Sequence, residues 1–108
     1  MATKEVPTKQ ASSRVKPSTD KIKVGAIEYT LVEIPQLPDL GIIDLAQQTI
    51  GVRAGIPKDL KAWTIWHEII HAILYSNGHI SGHDEVLVDA LAHGIVQVLR
   101  ENPALKSL

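Results

Sequence analysis

The chain has 108 residues, no cysteine, 44% apolar residues and a net charge of −1 from 11 basic and 12 acidic side chains. That length and apolar content suit one domain with a packed core, and the absence of cysteine excludes disulfides and thiolate-held zinc. The balanced charge and thin aromatic content (two Trp, two Tyr, no Phe) leave neither an electrostatic nor a base-stacking case for a nucleic-acid partner.

Residues 1–20 are rich in Lys, Thr, Ser and Pro. Such a segment buries too little apolar surface to offset its ordering entropy, and it reads as a flexible tail. No apolar run resembles a secretion signal or approaches the roughly 20 residues that span a bilayer, so a cytoplasmic location without a membrane partner is expected. The folded domain is assigned to residues 21–108.

From Lys21 the pattern changes. Ile22, Val24 and Ala26 alternate with Lys23 and Gly25, and Tyr29, Leu31 and Glu33 alternate with Thr30, Val32 and Ile34. A period of two rich in β-branched residues predicts one or two strands. Pro35 and Pro38 then interrupt pairing, because proline has no amide to give a ladder. Gly41–Asp44 and Gln48–Val52 read as two more short strands joined by a turn, and the set predicts a small antiparallel sheet.

Pro57 suits the first turn of a helix. Nothing breaks a helix from Lys58 to about Ser76, where Asn77-Gly78 supplies a stop. This helix is apolar over much of its girth (Leu60, Trp63, Ile65, Trp66, Ile69, Ile70, Ile73), which predicts a central, buried element. A second helix is predicted from Asp84 to about Glu101. Its apolar set (Val86, Leu87, Ala90, Leu91, Ile95, Val98, Leu99) is assigned to packing against the first helix.

His67-Glu68-Ile69-Ile70-His71 lies on the first of these helices. Two histidines four residues apart leave the same face one turn apart, so both rings can reach one zinc ion at about 2.0–2.1 Å. Glu68 sits about 100° around the axis. It is poorly placed as a ligand, but it can reach a water in the same site, which is the arrangement of a metalloprotease with Glu as general base. In a shuffled chain of this composition the motif would occur only about 0.01 times. Two histidines and a glutamate on an apolar helix are also costly to bury unless something satisfies them.

Catalytic zinc usually takes three protein ligands. The long metzincin motif would need glycine at position 74 and histidine at position 77, where Leu74 and Asn77 stand. Downstream donors are His79, His83, Asp84, Glu85, Asp89 and His93. Glu85 is the preferred third ligand. Asp89, four residues on, is suited to accept a hydrogen bond from a liganding histidine. His83, in the loop before the second helix, is the alternative ligand, and Asp89 itself also stays open. Tyr75, His79, His83 and His93 are candidates for stabilising a developing oxyanion.

The run His67-Glu68-Ile69-Ile70-His71-Ala72-Ile73, a short loop, then Glu85-Val86-Leu87-Val88-Asp89-Ala90-Leu91-Ala92 resembles the ImmA/IrrE-like zinc metallopeptidases, in particular the short versions encoded by phages and prophages. The resemblance covers roughly residues 21–103. It implies a minimal zincin-like α+β domain and a gluzincin-type site: His67 and His71 as zinc ligands, Glu68 as base, and an acidic residue of the second helix, here Glu85, as third ligand. The characterised members carry extra segments and cleave repressor-type regulators. Those segments are absent here, so that substrate does not carry over. The expected function is hydrolysis of a peptide bond in a protein or peptide substrate. The rival is a non-catalytic phage or prophage binding or assembly protein that keeps zinc for stability.

Overall fold

Only Gly25 and Ala26 separate Val24 from Ile27, and Gly25 takes the left-handed φ of +60° that a two-residue hairpin turn needs at its first position. The computed structural model describes residues 16–108, with side chains from Asp20 onward. That turn joins β1 (Lys16–Val24) to β2 (Ile27–Ile34), which pair antiparallel. Strand β1 thus begins five residues before the expected boundary at Lys21. The rest of the expected tail, residues 1–15, lies outside the described residues.

β3 (Gly41–Asp44) and β4 (Thr49–Arg53) form a second antiparallel pair. The sheet is nevertheless mixed, with strand order β1-β2-β4-β3 and β4 parallel to β2, which corrects the all-antiparallel expectation. The cause lies in the Pro35–Pro38 segment. It interrupts pairing after β2, and beyond it the chain crosses over, lays β3 at the far edge and returns as β4 in between. Arg53 fixes this crossover from β4. Its Nε donates to the Leu37 carbonyl at 2.8 Å and its guanidinium also reaches the Pro38 carbonyl at 2.5 Å. Hydrogen bonds from a charged donor contribute about 1.5–3 kcal/mol. Arg53→Met should therefore lower the unfolding free energy by about 1–3 kcal/mol in urea melts.

α1 (Lys58–Ser76) is the central layer. Ala72 and Ile69 pack on the sheet, where Tyr29 and Ile50 are fully buried. A different face, with Ile70, Trp63, Trp66 and Leu74, packs on Val88, Ala92 and Ile95 of α2 (Glu85–Glu101). Both helices span what the sequence predicts. The stripe that α2 turns inward matches the expected one only in part, at Ile95. Val86, Leu87, Leu91 and Val98 are exposed, while Val88, Ala92 and Ile95, about a third of a turn away, face α1. The inward face is the one that also carries Glu85 and Asp89. A short 3₁₀ segment (Pro103–Ser107) follows. Among the described residues no helix is long and apolar enough to cross a membrane.

Candidate metal centre

α1 is covered by the sheet on one side and by α2 on another, and His67 and His71 project from the strip between. The cleft there has a volume of about 640 Å³, with Asp39 and Leu40 and the start of β3 (Gly41 to Ile43) on one wall and Glu85 and Asp89 of α2 on the other. His71 is buried and His67 partly so. Their Nε2 atoms converge on one carboxylate oxygen, Glu85 Oε1, at 3.2 Å each. One donor atom from each of His67, His71 and Glu85 lies within 4.8 Å of the others, a group able to hold a metal ion.

The donor chemistry fits zinc. Two imidazole nitrogens and a carboxylate are the ligand set of an open, catalytic zinc site. Ligands about 2.0–2.1 Å from a tetrahedral ion stand about 3.3–3.4 Å apart along each edge, close to the two 3.2 Å separations seen here.

The far sides of both rings are held. Asp89 Oδ1 lies 2.5 Å from His67 Nδ1. A carboxylate can only accept, so a neutral His67 ring would carry its proton on Nδ1 and turn a lone pair on Nε2 toward Glu85. His83 Nδ1 lies 2.7 Å from His71 Nδ1, outside the group that can share an ion. Asp84 spends its carboxylate on the start of α2, accepting from the Val86 and Leu87 amides at 3.1 and 3.2 Å.

Glu68 is buried at 7% exposure, beneath the start of β3. Burial pushes its carboxyl up to about 7, the Glu85 and Asp39 carboxylates push the same way, and His67 opposes them. The strand comes this close because residue 41 is glycine. A Cβ there would stand 2.6 Å from Thr64 Cγ2 and 3.0 Å from Glu68 Oε2. A glycine opening a β-patterned run is a legible signal of close backbone approach, yet sequence reasoning assigned neither Gly41 nor Thr64 to the site. Gly41→Ala should displace the Glu68 carboxylate and cut any hydrolysis about tenfold or more, an ångström-scale misplacement being costly in catalysis. Zinc affinity should change less than threefold, as isothermal titration would read.

Of the four candidates for oxyanion stabilisation, Tyr75 lines the cleft. His79 contributes a backbone carbonyl to His83. His93 packs over Trp63, ring centroids 3.4 Å apart, in a separate groove that also includes Asp59 and Arg100. Compared with protein-family models, curated proteins and solved structures, the chain matches none.

Proposed function

We propose that the protein is a zinc-dependent peptidase. The observation that carries this reading is the meeting of His67 Nε2, His71 Nε2 and Glu85 Oε1 beside a buried glutamate that occupies the base position of the motif. An ion held by these three residues would lower the pKa of a water toward about 7 and polarise a carbonyl. Glu68, shielded under β3, takes a proton from a water in the cleft and returns it to the leaving amine. A carboxyl whose affinity for protons is raised toward neutrality suits both halves of that task. Tyr75 is the side chain we assign to hydrogen-bond the developing oxyanion.

The wall opposite α2 supports a peptide substrate. β3 is an edge strand, paired only with β4 among the described residues, and it lines the cleft. An extended peptide can add to such an edge through its backbone, which brings a scissile bond past Glu68. The likeness of the two helical segments to ImmA/IrrE-like metallopeptidases supports the same reading, and a phage or prophage role is part of this proposal.

The test is cleavage of a mixed peptide library by the zinc-loaded protein, with new termini read by mass spectrometry. Cleavage that a chelator stops and zinc restores supports a peptidase. Full zinc loading with no cleavage of any peptide would instead favour zinc kept for stability in a binding or assembly protein.

A further inference from the structure

The loop between the helices is held at both ends. Asn77-Gly78 closes α1 with a Schellman motif. Gly78 takes a φ of +90°, its amide donates to the Tyr75 carbonyl at 3.3 Å, and the His79 amide donates to the Leu74 carbonyl at 2.9 Å. The backbone of His79 is thereby fixed. At the other end Asp84 caps α2, which fixes the residue before it, His83. Between these anchors the His83 ring spans from the His79 carbonyl to His71. His83 Nε2 is 2.5 Å from the His79 carbonyl oxygen, and His83 Nδ1 is 2.7 Å from His71 Nδ1. The two rings lie within 16° of parallel with centroids 4.9 Å apart. With the short N–N distance, that is an in-plane hydrogen bond rather than a stack.

Proton bookkeeping along this chain has one solution for neutral rings. A carbonyl oxygen only accepts, so His83 Nε2 carries the hydrogen and donates. His83 Nδ1 then holds a lone pair and must be the acceptor. His71 Nδ1 must therefore donate, and His71 Nε2 is left bare toward the cleft. We propose that His83 is a positioning residue: by accepting from His71 Nδ1 it fixes His71 in the tautomer whose Nε2 lone pair faces the cleft. It does for His71 what Asp89 does for His67, using an imidazole backed by a main-chain carbonyl in place of a carboxylate.

The consequence reaches beyond one residue. With both tautomers fixed, His67 Nε2 and His71 Nε2 each stand 3.2 Å from Glu85 Oε1, all three within 4.8 Å of one another, with no hydrogen on any of them. Three converging acceptors repel one another unless a cation sits among them. His83 thus keeps the site from satisfying itself with a His71 N–H···Glu85 hydrogen bond that a metal would have to break. Its importance for metal binding rests on the zinc reading above, whereas the tautomer assignment does not.

The test uses metal-free, ¹⁵N-labelled full chain at pH about 8, where free imidazoles are neutral. Long-range ¹H–¹⁵N correlation spectra should show His71 protonated on Nδ1 and His83 on Nε2. In His83→Ala, His71 should move toward the Nε2–H form that free imidazole side chains favour, and zinc affinity should fall about 10–100-fold, the usual effect of losing such a support. His83→Asn is the rescue. Its Oδ1 stands as many bonds from the backbone as His Nδ1 and can accept from His71, so the wild-type tautomer and most of the affinity should return. An unchanged His71 tautomer in His83→Ala overturns the proposal. So does a wild-type His83 protonated on Nδ1, or coordination of zinc by His83 itself on titration. Correct tautomers in a protein that binds no zinc would sink the zinc reading and leave the role of His83 standing.

Discussion

Glu68→Gln should reduce peptide cleavage by roughly 10²–10⁴-fold, the range a positioned general base contributes, while zinc binding stays within a few-fold of wild type. Glutamine keeps the volume and the place beneath Gly41 but cannot take a proton. Loss of zinc together with activity would instead make Glu68 a ligand or a structural prop. The same variant carries a prediction of opposite sign for the metal-free fold. Burial raises the Glu68 carboxyl from 4.5 to about 7, so the folded state holds this proton more tightly than the unfolded state does. Glu68 therefore leaves stability intact below about pH 4.5 and subtracts from it as pH rises to about 7, by at most about 3 kcal/mol. Metal-free Glu68→Gln should accordingly be more stable than wild type at pH 8 and indistinguishable from it at pH 4. Urea melts at the two pH values read this directly. Equal gains at both would assign the effect to packing and not to charge.

The second large effect concerns the ion itself. A ligand that binds only the folded state stabilises it by about 4 kcal/mol at a thousandfold excess over its dissociation constant. For a domain of this size that corresponds to a rise in Tm of roughly 15–30 °C. Zinc should produce this rise in wild type and a chelator should reverse it. His71→Ala and Glu85→Ala should each abolish most of the zinc-dependent increment, whatever they do to the metal-free Tm. Asp89→Ala removes a support and not a ligand, so its increment should shrink by only about 1–3 kcal/mol. A Glu85→Ala protein with the full increment would move the third ligand elsewhere.

Both helices were legible in the sequence because their punctuation is chemical and local: Pro57 at the entry of α1, Asn77-Gly78 at its exit, and Asp84 capping α2. His67 and His71 were legible as a pair because a spacing of four fixes them on one face whatever surrounds the helix. Spacing likewise put Glu85 and Asp89 on one side of α2. It did not decide which would turn to which ring nitrogen, which depends on how the two helices pack.

The sheet order was hidden for another reason. Alternation marks a strand but not its neighbour, and the long-range pairing of β4 with β2 depends on a crossover that Arg53 fastens from 15 or more residues away. The inward stripe of α2 was misread except at Ile95, because Val86, Leu87, Leu91 and Val98 are apolar yet exposed, and apolar character alone does not say which face meets a neighbour. Ala92 is fully buried against α1, and a small side chain gives little hydrophobic signal of its own. His83 looked like a rival ligand because a loop histidine near a metal motif has no spacing rule. Only the position of the His79 carbonyl shows which of its nitrogens is free.

The central claim is that His67, His71 and Glu85 together hold one zinc ion. Native mass spectrometry of wild type and Glu85→Ala, each exposed to equimolar zinc and then desalted, tests it most directly. The expected result is one zinc per wild-type chain and none in the variant, with both proteins folded by circular dichroism. A wild-type chain that carries no zinc, or a Glu85→Ala chain that carries as much as wild type, would contradict it.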